Sequence, residues 1–383
     1  MSVYLDYNAS APIDMRVLDK MVDVYKNSYG NADSRTHQYG ESAREIVENA
    51  RKQVANLLNI KPDEVFFTSG ATESNNIAIQ GLVEYAEKSG KKHIVTTSIE
   101  HKAVLETVKH LEDKGFMVDY VSPDRSGRID ADAVLEKVTE RTLLVSVMHV
   151  NNETGIIQPV LEIGKELADR DVLFHIDATQ SCGKLVDEIK ELDYNMLSFS
   201  AHKFGGPQGV GVLVLRKKAF KLPPVKAIQF GGQQEHGIRP GTVPVALIAG
   251  CGLACEIAEH EYKKNDEIAK GIKAEVLKIL NDSGMKYRIN GSQDHCVNTT
   301  LNVCLNGVSS EALMISSKQY CGVSNGSACT SKSYSPSYVL VAMGIPEEQI
   351  ESSIRISWGH DVCKEDICEN VENLLNVAKQ IGL

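Results

Sequence analysis

Phe174-His175-Ile176-Asp177-Ala178-Thr179-Gln180 is an apolar stretch that ends on a carboxylate. Leu197-Ser198-Phe199-Ser200-Ala201-His202-Lys203-Phe204-Gly205-Gly206-Pro207 follows it and ends on a lysine set among Ser, His and Gly. Runs of the same kind stand at Val65-Phe66-Phe67-Thr68, His93-Ile94-Val95-Thr96-Thr97, Val118-Asp119-Tyr120-Val121, 143–150 and 210–215. They are short, β-branched and mostly without a polar face, which predicts strands buried on both sides. Helical patterns at 74–88, 103–114 and 160–169 lie between several of them. The alternation predicts an α/β fold with a mainly parallel sheet covered by helices on both faces.

Beyond this core, residues 217–241 are irregular, with Pro223-Pro224, Gly231-Gly232 and Pro240-Gly241 as breakers. A long helical pattern over 243–280 follows, weakened locally by Gly250 and Gly252. Strand-like runs at 299–305, 321–324 and 353–358, with a terminal helix at 364–381, predict a smaller α+β unit. A chain of 383 residues has room for two or three such units, and 42% hydrophobic with 24% charged residues is the composition of an ordinary globular protein. The formal net charge of -10 offers no general attraction to nucleic acid or to an anionic membrane. Nine cysteines, an odd number without any C-x-x-C spacing, predict free thiols in a reducing compartment rather than a disulfide framework or a zinc ribbon. The amino-terminal stretch reaches Asp6 with no basic or apolar leader, and the uncharged residues 240–255 are too short for a membrane span. A cytoplasmic protein is expected.

Three constellations carry chemistry. Thr68-Ser69-Gly70-Ala71-Thr72-Glu73-Ser74-Asn75-Asn76 follows a strand and opens a helix, so its backbone N–H groups and hydroxyls suit a phosphate; the plainer alternative is an N-cap with a glycine turn. It lacks the Gly-Lys-Ser/Thr of a P-loop and the G-x-G-x-x-G of a dinucleotide fold. Asp177 at a strand end suits a cationic ring nitrogen; His175 with Asp177 as a metal pair and Asp177 as a helix cap are the alternatives. Lys203, by itself, is an ordinary surface charge, but after a strand and beside small residues it suits an amine nucleophile. In this order the three supply a phosphate cup, a pyridinium partner and a Schiff-base amine, the set that pyridoxal phosphate needs.

Together these residues resemble the NifS/IscS-type cysteine desulfurases, a branch of the class V aminotransferases of pyridoxal phosphate fold type I. The likeness rests on Tyr4-Leu-Asp-Tyr-Asn-Ala-Ser, Ser69-Gly-Ala-Thr-Glu-Ser-Asn-Asn, Glu100-His-Lys, His149-Val-Asn-Asn-Glu-Thr-Gly, Asp177-Ala-Thr-Gln, Ser200-Ala-His-Lys, Gly326-Ser-Ala-Cys-Thr-Ser and Ile354-Arg-Ile-Ser-Trp-Gly. It implies a large cofactor domain over 15–258 and a small domain formed by 1–14 and 259–383. It makes Lys203 the cofactor-holding lysine, stacks His101 on the ring as a proton carrier and keeps the ring nitrogen protonated through Asp177. Gln180 and Asn152 would meet the phenolic oxygen, with Asn152 also near the substrate carboxylate. Ala71, Thr72, Ser200 and His202 would hold the phosphate. Thr242 would reach the phosphate of a second copy, which implies a homodimer. Arg355 would grip the carboxylate of L-cysteine. No metal site is implied.

Cys329 distinguishes the reaction. It lies in Ser324-Asn-Gly-Ser-Ala-Cys-Thr-Ser-Lys-Ser-Tyr-Ser-Pro-Ser, a small and polar stretch that predicts an exposed loop, whereas Cys251, Cys255 and Cys304 sit in apolar runs as packing thiols. The resemblance makes Cys329 the thiol that takes sulfur from L-cysteine as a persulfide, leaves alanine, and hands the sulfur to an acceptor protein. Ala201 and Phe204-Gly205 depart from the more usual Gly and Ile-Tyr without removing a reacting group. Gly30-Asn-Ala-Asp-Ser-Arg-Thr-His and the Ser324 stretch are similar to the DndA-type enzymes that supply DNA phosphorothioation. Iron–sulfur assembly, tRNA thiolation and selenocysteine cleavage are the competing roles, and a catalytically silent scaffold is the competing non-enzyme.

Overall fold

The computed structural model describes residues 2–326 and 335–382. Its first part runs β1 (Val3–Tyr4), α1 (Met15–Asn27), α2 (Gln38–Leu58), β2 (Val65–Thr68), α3 (Ala71–Gln80), α4 (Val83–Ser89), β3 (His93–Thr97), α5 (Lys102–Glu112), β4 (Met117–Val121), α6 (Ala131–Leu135), β5 (Thr142–Met148), α7 (Val160–Leu167), β6 (Leu173–Asp177), α8 (Val186–Lys190), β7 (Met196–Ser200) and β8 (Gly211–Leu215). There follow α9 (Val245–Asp282), β9 (Tyr287–Ile289), β10 (Thr300–Leu305), α10 (Ser310–Ser317), β11 (Cys321–Gly322), α11 (Tyr338–Ala342), α12 (Glu347–Glu351), β12 (Ser353–Ser357) and α13 (Lys364–Ile381).

Seven strands form one sheet in the order β2-β8-β7-β6-β5-β3-β4. The pairs β7–β6, β6–β5, β5–β3 and β3–β4 are parallel, while β8 is antiparallel to both β7 and β2. Two reversals in succession point β2 the same way as β7. The carboxyl ends of β2, β3, β5, β6 and β7 therefore share one edge of the sheet.

Continuous apolar strands are explained by two cores. Val95, Val145, Ile176 and Leu197 face α2, α7 and the first part of α9, through Val54, Ile163, Ile248 and Cys255. Ile94, Leu144, Met196 and Leu213 face the opposite layer, with Ile77 of α3 and Val104 and Val108 of α5. A separate core gathers around the antiparallel β12-β10-β9 sheet and the parallel β1–β11 pair, where Leu5, Leu301, Ile354, Trp358 and Leu374 are buried. Helix α9, about 57 Å long at ~1.5 Å per residue, joins the two regions: Ile248 to Ala258 pack on the first, Ala269 to Leu280 on the other.

The expected helix over 74–88 is instead two helices, α3 and α4, the first starting earlier at Ala71. Gly81 ends α3 because its carbonyl accepts the Lys226 N–H (2.8 Å), and a Cβ there would lie 2.6 Å from Val225 Cγ1. The helix-weakening glycines of α9 have a packing cause. A Cβ on Gly250 would lie 2.8 Å from Met21 Sδ, and one on Gly252 only 2.5 Å from Ala50 Cα. Gly271, on the same helix, meets nothing within 4 Å.

One ionisable group is sealed between β3 and β5. Glu100 is fully buried, its Oε1 accepting the Thr97 hydroxyl (2.6 Å) and the Met148 N–H (2.9 Å), with Oε2 unpartnered among the described residues. Burial pushes its pKa to about 8.

Gly252→Ala should destabilise the fold by about 1–3 kcal/mol through overpacking, whereas Gly271→Ala should stabilise it by about 0.5–1 kcal/mol, both measured by urea unfolding. Equal effects would contradict the close approach of α9 to α2. Because the folded chain holds a proton on Glu100 that the unfolded chain releases above the ordinary carboxylate pKa, stability should fall as pH rises toward about 8. Glu100→Gln should flatten that slope in pH-dependent unfolding, and an unchanged slope would count against the assignment.

Candidate active site

The shared strand-end edge collects the motifs. β6 delivers Asp177, β7 runs into a short 3₁₀ turn over Ala201–Lys203, β2 leads to Gly70 and α3, and β3 leads to His101 at the head of α5. Beyond β5, His149 to Gly155 form a buried turn.

Asp177 is 4% exposed and rigidly held. Its Oδ2 accepts from Asn75 Nδ2 (2.8 Å), and its Oδ1 accepts from the Thr179 N–H (3.0 Å) and hydroxyl (2.5 Å). His175, the alternative metal partner, is turned into the sheet: Nδ1 pairs with Ser146 Oγ (2.9 Å) and Nε2 with Ser198 Oγ (3.0 Å). His101 caps α5, its Nδ1 accepting the Ala103 N–H (3.1 Å), which leaves the ring proton on Nε2. Burial holds its pKa below the usual value, Asp177 opposes that, and Lys203 reinforces it. It is a neutral ring presenting a donor.

The cup expected to hold a phosphate is a matter of close approach. Ser200 Oγ accepts the Ala71 N–H (2.7 Å), binding the end of β7 to the first turn of α3. Gly211 permits this, since a Cβ there would lie 2.5 Å from Gly70 Cα. The first turn of a helix leaves N–H groups without intrahelical acceptors, and here they open beside Ser200 and Thr72. His202 Nδ1 lies 3.2 Å from Ser10 Oγ, and burial, with Lys203 adding to it, pushes its pKa down to about 4, so it is a neutral polar neighbour. Glu73 braces the cup: against the upward push of burial, Ser69 N–H and Arg239 hold its carboxyl below the usual range. Arg239 thereby brings the exposed Thr242 segment to α3.

Lys203 donates from Nζ to the carbonyls of Asn8 and Ala9, both at 2.8 Å. Gln180, expected to meet a cofactor oxygen, donates to the same Asn8 carbonyl (2.9 Å) and accepts from Lys184 (3.2 Å). Arg355 arrives from β12, 5% exposed, and its fork is partly engaged: Nη2 bonds Asp6 Oδ1 (2.6 Å), Nη1 donates to the Asn152 carbonyl (2.9 Å), and Nε is unpartnered among the described residues. Asn152 Oδ1 is likewise buried without a partner there. Cys329 lies outside the described residues. Cys182, Cys255 and Cys304 are buried and burial pushes their pKa values up; Cys251 is buried too.

Asn8, Asn75 and Asp6 carry much of this geometry, yet no motif singled out a role for them. Asn8 and Asp6 lie in Tyr4-Leu-Asp-Tyr-Asn-Ala-Ser, which the sequence offered only as part of the family likeness, with no role for either side chain. A carboxylate, an amine and a helix-start cup on one sheet edge, with orphaned buried polar atoms on Asn152 beyond β5 and on Arg355 from β12, fit pyridoxal phosphate and an amino acid.

Known proteins agree. The aminotransferase class-V family profile matches residues 3–369. A cysteine desulfurase IscS of Photorhabdus laumondii subsp. laumondii is 43% identical over all of this chain and 93% of that protein. Among solved structures, a NifS-like protein superposes with a TM-score of 0.91 at 36% identity, over 99% of this chain and 100% of that one. DndA from Streptomyces lividans superposes at 0.81 with 43% identity, over 93% and 99%. The chain belongs to the aminotransferase class-V family, as a pyridoxal phosphate-dependent cysteine desulfurase.

Proposed function

We propose that the enzyme moves the sulfur of L-cysteine onto Cys329 and passes it to an acceptor protein. The observation that carries this reading is the meeting of Asp177, His101 and Lys203 on one sheet edge with Arg355 from the other sheet. Pyridoxal phosphate, when bound, supplies an electron sink for the pair left on the substrate Cα. Lys203 would hold it, Asp177 would pair with its ring N–H, His101 would cover its face, and Ala71, Thr72, Ser200 and His202 would surround its phosphate. Gln180 and Asn152 would face its phenolic oxygen.

Arg355 binds the substrate carboxylate through its remaining donors, which a planar fork aligns better than an ammonium. Lys203 Nζ and His101 Nε2 are the proton carriers. The Cys329 thiolate attacks the substrate sulfur. The S–S bond forms as the Cβ–S bond breaks, and the released pair at Cβ is protonated. The balance is L-cysteine plus a protein thiol giving L-alanine plus a protein persulfide.

The small domain comprises 1–14 with 259–383 and the large one 15–258, so that the substrate arginine and the cofactor lysine come from different domains. The enzyme is a cytoplasmic homodimer in which Thr242 of one copy completes the phosphate site of the other; no helix among the described residues is long and apolar enough to cross a membrane. The likeness to DndA supports DNA phosphorothioation as the sulfur's destination, reached through a partner protein given the net charge of -10. The likeness to IscS supports iron–sulfur assembly as the second reading. Labelled sulfur recovered on one acceptor rather than the other separates them.

Replacing Cys329 with Ala should cut alanine formation from L-cysteine by ~100-fold or more while the bound-cofactor absorbance stays. Lys203→Ala should abolish the borohydride-fixable chromophore. Unimpaired alanine release by the Cys329 variant would sink the persulfide route.

A further inference from the structure

Glu153 is 1% exposed, next to Asn152, and touches residues on both sides of the stretch that contains Cys329. After that stretch, Ser337 donates its hydroxyl to Glu153 Oε2 (2.5 Å) while capping α11 through the Leu340 N–H (3.2 Å). Before it, Gly326 lies flat on the same carboxyl: at φ +78°, a Cβ there would fall 2.3 Å from Oε2. Ser324 pairs with Arg355 backbone to backbone (3.2 and 2.5 Å), so this flank also borders the substrate arginine. Tyr338 then donates its hydroxyl to the Glu100 carbonyl (2.7 Å), immediately before His101. Two adjacent residues thus fasten one limb to the Asn152 turn and to the His101 turn.

We propose that Glu153 is a positioning residue for sulfur transfer, its buried carboxyl hydrogen-bonded to Ser337 and packed against Gly326, so that the two flanks of the stretch containing Cys329 are fixed beside Arg355 and the Asn152 turn. This rests on Cys329 being the sulfur acceptor. The Tyr338–Glu100 bond sets the same limb against His101.

The carboxyl is also poised to titrate. Burial pushes its pKa to about 7, opposed by Ser337, by Arg355 of β12 and by Lys102 of α5. The ionised form is the stronger acceptor for the Ser337 hydroxyl, so the contribution of Glu153 to transfer grows as pH rises through that value.

The test compares wild type, Glu153→Ala, Glu153→Gln, Gly326→Ala and the Glu153→Ala/Gly326→Ala pair as holoenzymes, with single-turnover persulfide formation, KM for L-cysteine and cofactor absorbance as readouts. Glu153→Ala should slow persulfide formation by ~10- to 100-fold, with KM and absorbance within about twofold. Gly326→Ala should lower the urea midpoint of the holoenzyme, and less so when Glu153 is already Ala, because the clash is gone. Equal losses in KM, absorbance and rate, or additive effects of the pair, would overturn the proposal. Should Glu153→Ala not fold, Glu153→Gln decides: a wild-type rate rising across about pH 7 against a flat Gln profile supports it, and parallel profiles overturn it. Wild type that forms alanine without any Cys329 persulfide would instead remove the reading beneath it.

Discussion

Asn8 is where the two halves of the site are tied together. Its carbonyl accepts from Lys203 and Gln180 of the seven-stranded sheet region, its side-chain Nδ2 donates to the Asn152 carbonyl (3.1 Å) and to Thr300 Oγ1 (3.0 Å), and its N–H donates to Ser357 Oγ (3.0 Å). One buried residue therefore connects the lysine, the turn after β5, and strands β10 and β12 of the small antiparallel sheet. Buried amides leave costly orphans when a partner is lost, so this node couples the placement of the amine to the placement of Arg355.

Around that node, burial tunes the groups in a consistent direction. His101 and His202 are held neutral, and Glu100 and Glu153 are pushed toward the protonated form. The ion pairs that touch the site, Arg355–Asp6 and Arg239–Glu73, each fix a carboxylate against a planar cation. The Arg51–Glu235 pair does the same farther out: Glu235 and His236 take left-handed backbone angles (φ 46° and 55°), and Arg51 with the Phe67 N–H holds the Glu235 carboxylate in place. That strained turn leads into Arg239 and Thr242, so a buried pair supports the segment that carries both.

Much of this was legible in the residues. Strands buried on both faces announce themselves by lacking alternation, and the order of cup, Asp177 and Lys203 survives without coordinates because each follows a strand. The break at Gly81 was hidden because its cause, Lys226, is remote in the chain. Asn75, Asn8 and Glu153 were hidden for a similar reason: an amide or carboxylate looks the same in sequence whether it faces water or spans two turns. The partly engaged Arg355 was equally out of reach, since Asp6 meets it only after the amino-terminal segment crosses to β12.

The central claim is that sulfur leaves L-cysteine onto one thiol among nine. Peptide mass spectrometry of the holoenzyme after a single turnover with L-cysteine tests it most directly. The account predicts one added sulfur atom on the peptide containing Cys329, in step with the alanine formed. Alanine in full yield with the added sulfur on another cysteine, or on none, would contradict it.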